Sequence, residues 1–145
     1  MTDATFDHAT IGVFDVDEAV RFFAVLGFEV TKSVRISGAT MDAYMGIPGM
    51  EADHVTLSVP GAAPHQEVQL LRFYRPEHLV DRSSGDLAGT GFNHLCFRVD
   101  DLDATVAAFD AAGFPTRNQP MDFHERKLVF LVGPANVVIE LAQWT

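Results

Sequence analysis

Phe6-Asp7-His8-Ala9-Thr10-Ile11-Gly12-Val13-Phe14-Asp15-Val16-Asp17 returns 86 positions later as Phe92-Asn93-His94-Leu95-Cys96-Phe97-Arg98-Val99-Asp100-Asp101-Leu102-Asp103. The correspondence runs on through Val20 and Val106, Phe23 and Phe109, Gly27 and Gly113, and Phe28 and Phe114. Nine of the 23 aligned positions are identical, where composition alone gives roughly one or two. A duplication therefore organises the chain, and whatever one copy forms the other forms too.

Each copy reads the same way. Residues 6–14 and 92–99 are short β-prone runs. Asp15 and Asp101 then stand where helix N-caps are needed, with Asp17, Glu18 and Asp103 in the first turn, where the helix dipole favours anions. Val16, Ala19, Val20, Phe23 and Leu26 fall on one helical face, and Leu102, Val106 and Phe109 on its counterpart. Gly27 and Gly113 are placed as C′ glycines, with Phe28 and Phe114 opening the return. Further strands are expected around 28–36, 53–59 and 66–74 in the first half, and around 115–118, 127–132 and 136–142 in the second. Each half is thus β-α-β-β-β, module 1 at about 4–76 and module 2 at about 90–145 of a single domain spanning residues 1–145.

The ends of the halves correspond as well, Val68-Gln69-Leu70-Leu71 matching Ile139-Glu140-Leu141-Ala142 at a shift of 71. The shorter shift reflects longer connections in the first half, through residues 45–52 and 60–66. His8 and His94 are one duplicated pair, Gln69 and Glu140 the other. Each is a polar side chain in an apolar strand and needs a partner or water. Any one of them alone reads most simply as a satisfied core side chain. Four at duplicated positions make a divalent metal the better answer, with two imidazoles, a carboxylate and an amide oxygen as donors. That donor set suits Zn, Mn, Co, Ni or Fe(II) and does not choose among them.

Composition narrows the function classes. Of 145 residues, 48% are apolar and 21% charged, which fits a globular domain. Twenty acidic against ten basic residues give a formal charge of -10. Lys and Arg form no stripe, so nucleic-acid binding is not expected. No run approaches the roughly 18 to 20 apolar residues of a membrane span, and residues 1–8 do not resemble a signal peptide. The single Cys96 leaves no internal disulfide and fits a cytoplasmic location. Cys96 lies two residues from His94 and reads as small apolar filler.

These residues resemble the vicinal oxygen chelate superfamily, which includes glyoxalase I, methylmalonyl-CoA epimerase, extradiol dioxygenases and the bleomycin and fosfomycin resistance proteins. The resemblance rests on Phe6-Asp-His8 leading into Val16-Asp-Glu-Ala-Val-Arg-Phe-Phe23 and Leu26-Gly-Phe28, on Gly91-Phe-Asn-His94 leading into Val99-Asp-Asp-Leu-Asp103, and on Phe130-Leu-Val-Gly-Pro134 through Val138-Ile-Glu140-Leu. It implies an α+β fold of two βαβββ modules, whose strands curve into an open, barrel-like sheet holding the metal on His8, Gln69, His94 and Glu140. The order His, Gln, His, Glu is similar to the epimerase pattern, and glyoxalase I remains compatible. His8, His94 and Glu140 alone would also serve an iron dioxygenase. A homodimer is implied by the resemblance and by the general frequency of twofold dimers.

The chemistry this implies is proton transfer by an isomerase or lyase, through a metal-stabilised enolate of a small oxygenated substrate or thioester. Glu140 is one candidate proton carrier. Glu67 is another, two residues from Gln69 and so on the same strand face. His54 is a third, because its titration range suits neutral pH. Tyr44, Phe73, Phe123, His124 and Arg126 are candidate pocket residues in or beside connections. Arg72 and Arg126 could pair with a substrate carboxylate or phosphate, although exposed arginine is the simpler reading. Two alternatives remain, an Fe(II) extradiol-type dioxygenase and a resistance-type protein that binds a drug or metabolite without turnover.

Overall fold

Asp15 and Asp101 start the two long helices in the computed structural model of the protein, which describes residues 2–80 and 83–145. The Asp15 carboxylate accepts the Glu18 N–H at 2.9 Å and opens α1 (Val16–Ala24). Asp101 accepts the Ala104 N–H at 2.9 Å and opens α3 (Leu102–Ala111). Both helices close alike. Gly27 N–H meets the Ala24 carbonyl at 3.0 Å and Phe28 N–H the Phe23 carbonyl at 3.1 Å; Gly113 and Phe114 repeat this on Asp110 and Phe109 at 3.0 and 2.9 Å. Such a paired closure needs a left-handed residue, and the φ values are +87° at Gly27 and +88° at Gly113.

The chain divides into two compact units, residues 1–79 and 80–145. The first holds β1 (Ala9–Gly12), α1, β2 (Glu29–Ser37), a short α2 (Ala39–Met45), β3 (Glu51–Ser58) and β4 (Glu67–Arg75). The second holds β5 (Leu95–Arg98), α3, β6 (Met121–Phe123), β7 (Arg126–Val132) and β8 (Val138–Trp144). Each forms an open four-stranded sheet, ordered β1-β4-β3-β2 and β5-β8-β7-β6, and neither closes into a barrel. In both, the first strand pairs parallel with the last and the remaining pairs are antiparallel.

Alternation along the strands divides each sheet into a helix-covered face and a second face. In the first unit Ile11, Val55, Leu57, Val68 and Leu70 are buried, as are Ala19, Phe22 and Phe23 of α1. Phe23 packs edge-on against Phe22 and Phe28, with ring centroids 5.2 and 5.8 Å apart. In the second, Val129, Leu131, Ile139 and Leu141 are buried, together with Leu102 and Phe109 of α3.

Three expectations need correction. The first strands begin at Ala9 and Leu95, later than residues 6 and 92, since Phe6 and Phe92 are 76% and 70% exposed and lie outside the parallel ladders. No strand forms at 115–118, where only a Thr116–Leu131 bridge is made; Pro115 has no N–H to donate to a ladder. The fourth strand of that sheet is β6, with Met121 opposite Leu128. Helix α2 was not expected, and the Asp42 carboxylate ties its end to the N–H groups of Gly49 and Met50 at 2.9 and 3.0 Å.

An ion network links β2, β3 and β4. Arg35 donates to Asp53 and Glu51 at 2.6 Å each, Arg75 pairs with Glu51 at 2.6 Å, and the Tyr74 hydroxyl donates to Asp53 at 2.6 Å. The Tyr74 hydroxyl and then Arg35 hold the Asp53 carboxyl below its usual value of 3.8. A depressed carboxyl stabilises the fold above its unfolded pKa, and that stabilisation is lost as pH falls through the lower folded value. Asp53→Asn is therefore expected to lower the thermal midpoint at pH 7 and to lose less than wild type between neutral pH and pH 3, as followed by circular dichroism. Phe109→Ala is expected to cost about 3–5 kcal/mol in denaturant unfolding, and Gly113→Ala about 1–2 kcal/mol for a side chain at positive φ.

Candidate metal centre

The parallel pairing of first and last strands places the polar residues. Thr10 lies opposite Gln69, and Cys96 opposite Glu140. Partners across a ladder share a face, as do residues two apart on one strand. His8 and His94 immediately precede β1 and β5, so each lies on the face of its unit away from the helix.

In the first unit that face carries Thr10, Glu67, Gln69, His54 and Thr56. The Gln69 amide is held at both ends. Its Nε2 donates to the Glu67 carboxylate at 2.6 Å, and its Oε1 lies 2.8 Å from His54 Nε2 and 3.4 Å from the Thr10 hydroxyl. Because the carboxylate only accepts, the amide nitrogen must face Glu67 and the oxygen must face His54. His54 Nε2 therefore carries the proton. Glu67 also meets His65 Nε2 at 3.1 Å and is 17% exposed. The bond from Gln69, then that from His65, holds the Glu67 carboxyl below its usual range. Asp7, His8 and Glu67 bring ligand atoms within 4.8 Å of one another, an arrangement able to receive a cation.

In the second unit His94 Nε2 lies 3.6 Å from Glu140 Oε2. Two donors bound to one ion at about 2.1 Å sit roughly 3.0–3.4 Å apart, so this pair needs only a small adjustment to share a metal. The other ring nitrogen, Nδ1, faces Asn93 Oδ1 at 2.7 Å. An Nδ1–H donated to that oxygen leaves the Nε2 lone pair free for a cation. The same device stands at the duplicated position, where His8 Nδ1 bonds the Asp7 carboxylate. Asp7 and Asn93 escaped the sequence reading as functional residues. The signal was there: each is an oxygen-bearing side chain one residue before its duplicated histidine.

Cys96 is not apolar filler. It lies opposite Glu140 across the ladder on the exposed face, and partial desolvation, then the Glu140 carboxylate, pushes its thiol pKa up to about 12. Phe130 packs edge-on against His94, with ring centroids 5.3 Å apart.

The candidate pocket residues fall in different places. Tyr44 is near the end of α2, beside the connection to β3, and 82% exposed. Phe73 is on β4 and packs edge-on against His78 at 5.2 Å. Phe123 is on β6, opposite Arg126 on β7, and His124 forms the turn between them at φ +54°. His54 is on β3, half-buried and bonded to Gln69 rather than a free surface histidine.

Each copy of the duplicated βαβββ unit carries a histidine and an oxygen-bearing side chain on one sheet face. The chain belongs to the glyoxalase/bleomycin resistance protein/dioxygenase superfamily, whose family model matches residues 7–130. It is similar to a lactoylglutathione lyase of Schizosaccharomyces pombe, with 22% identity over 95% of this chain. The chain spans 44% of that relative's length. Among solved structures, a glyoxalase family protein from Bacillus cereus matches 99% of this chain and 96% of its own, with a TM-score of 0.88 at 20% identity. An antibiotic-binding protein from a Streptomyces species covers 100% of this chain and 99% of its own at 20% identity, with a TM-score of 0.62. Among the described residues no helix is long and apolar enough to cross a membrane.

The hydrogen-bond logic at Gln69 is testable without metal. Long-range nitrogen–proton spectra of the metal-free protein are expected to show a proton on His54 Nε2 held to the Gln69 oxygen. Gln69→Leu, which removes the acceptor, is expected to shift those resonances and abolish that hydrogen bond.

Proposed function

We propose that this protein is a metal-dependent lyase or isomerase of the vicinal oxygen chelate type. His8, Gln69, His94 and Glu140 are its metal donors, two from each module of one functional domain spanning residues 1–145. The observation that carries the reading is the duplicated donor geometry. Each module offers a histidine whose Nδ1 is engaged by the preceding residue, with an oxygen donor on the same face. His94 and Glu140 stand 3.6 Å apart. A divalent ion there would polarise adjacent oxygens of a small oxygenated substrate or thioester and offset the negative charge left when a proton leaves carbon.

The chain's own residues supply the rest. Glu67 is kept ionised by Gln69 and His65, so at neutral pH it is ready to accept a proton, at some cost in basicity. His54 acts through Gln69, its Nε2–H holding the oxygen end of the amide that Glu67 orients. Glu140 is the second proton carrier, with Cys96 beside it across the ladder. Tyr44, Phe73, Phe123, His124 and Arg126 are proposed to shape the substrate pocket. The functional form is proposed to be a cytoplasmic homodimer acting on a small molecule.

A second reading, binding without turnover, is supported by the structural match to an antibiotic-binding protein. An Fe(II) dioxygenase using His8, His94 and Glu140 is the third.

Elemental analysis of protein purified without chelator separates these. About one equivalent of Zn, Mn, Co or Ni is expected, and it is expected to vanish in Glu140→Ala, which removes the anionic donor. Gln69→Ala is expected to weaken the metal less than His94→Ala, because a neutral amide oxygen is the poorer donor. Asn93→Ala is expected to weaken it about 10–100-fold. Iron in place of these metals favours the dioxygenase; no metal, and none taken up on titration, favours the binding protein.

A further inference from the structure

The same sheet face that carries His94 and Glu140 has a second, cationic end. Along β8, Ala142 and Trp144 follow Glu140 on that face, four residues and roughly 13 Å taking the strand from the carboxylate to the indole. Arg126 on β7 lies directly opposite Trp144, and Arg98 on β5 lies opposite Ala142. Both guanidinium groups stack on the one ring, Arg126 at 4.9 Å and Arg98 at 5.6 Å from its centroid. Neither makes a salt bridge among the described residues, whereas Arg35, Arg75 and Lys127 all do. The Arg126 Nε–H is the buried side-chain polar group without any hydrogen-bond partner among the described residues. A buried donor left unmade is costly, so an arginine held this way is short of an acceptor. Met121, Phe123 and Trp144, on the same face, are about half exposed at 52%, 47% and 47%.

We propose that Arg126, with Arg98 and Trp144, forms an oxyanion-binding subsite for the far end of the substrate. Its ligand class is a carboxylate or phosphate carried on an apolar stem. The aromatic stacking holds the guanidinium plane while Nε and a terminal nitrogen offer a bidentate fork to the anion. Met121 and Phe123 supply the wall for the stem. In a chain of formal charge -10, two unpaired arginines on one ring select an anion against the overall field. Joined to the metal reading, on which this part rests, the subsite implies a substrate whose anion lies about 10–13 Å from its reacting oxygens.

Trp144 is the sole tryptophan in the sequence and reports on its own surroundings. The test titrates the whole protein with 4-phenylbutyrate, with inorganic phosphate, and with uncharged 4-phenylbutanol, following Trp144 fluorescence. The expected result is saturable binding of phenylbutyrate, phosphate or both, and none of the alcohol. Whichever anion binds more tightly identifies the source of the oxyanion. Arg126→Gln is expected to weaken binding about 10–100-fold, with Arg126→Lys retaining part of it and Arg117→Gln retaining all. Equal response to the alcohol, or an Arg126→Gln titration matching wild type, overturns the proposal. Should Arg126→Gln misfold by circular dichroism, the Arg126→Lys comparison decides, weakened binding supporting the subsite and wild-type affinity refuting it. Glu140→Ala separates the two readings: the metal assignment fails by elemental analysis, the subsite only by these titrations.

Discussion

The parallel pairing of first and last strands within each unit is the constraint on which the rest depends. Strands adjacent in sequence and joined by short turns would pair antiparallel. A parallel neighbour must be reached by a crossover, and here the crossover is the helix and the two remaining strands. That pairing sets Thr10 against Gln69 and Cys96 against Glu140, registers that agree with the two sequence shifts of 86 and 71. One slip in either ladder would turn Gln69 or Glu140 into the helix-covered core, where an unpaired polar group is costly. The apolar face is therefore what holds the polar face in place.

Upstream of the ladder, the helix ends decide its length. An aspartate cap at one end and a glycine closure at the other leave little freedom in where the chain returns. Phe23 and Phe109 then seat the helices on their sheets at 0% exposure. Between these ends the two units diverge. The first spends its extra residues on α2 and a nine-residue β2, whose arginine enters an ion network. The second has a three-residue β6 in the corresponding place.

On the polar faces the chemistry is organised by who can donate. Glu67 and Asp7 accept only, Gln69 does both, and the histidines adapt. Satisfying Glu67 therefore orients Gln69, which in turn assigns the His54 proton. In the second unit the Asn93 amide oxygen takes the His94 Nδ1, and Cys96 lies beside Glu140 across the ladder. The duplicated scaffold keeps the positions and varies the donors.

The sequence by itself determined the duplication, the caps at Asp15 and Asp101, the glycine closures and the shared face of Glu67 and Gln69, because each is a local or periodic property. It misplaced the strand at 115–118, where Pro115 denies the ladder a donor and only the Thr116–Leu131 bridge forms. It was silent on α2, whose seven residues carry no strong helical period. Only the tertiary structure decided that His54 bonds Gln69, that Cys96 faces Glu140, and that Arg126 and Arg98 stack on Trp144 with no acidic partner among the described residues. Those pairings join residues on different strands, and their register comes from side-chain packing across the sheet, which no single stretch of sequence contains.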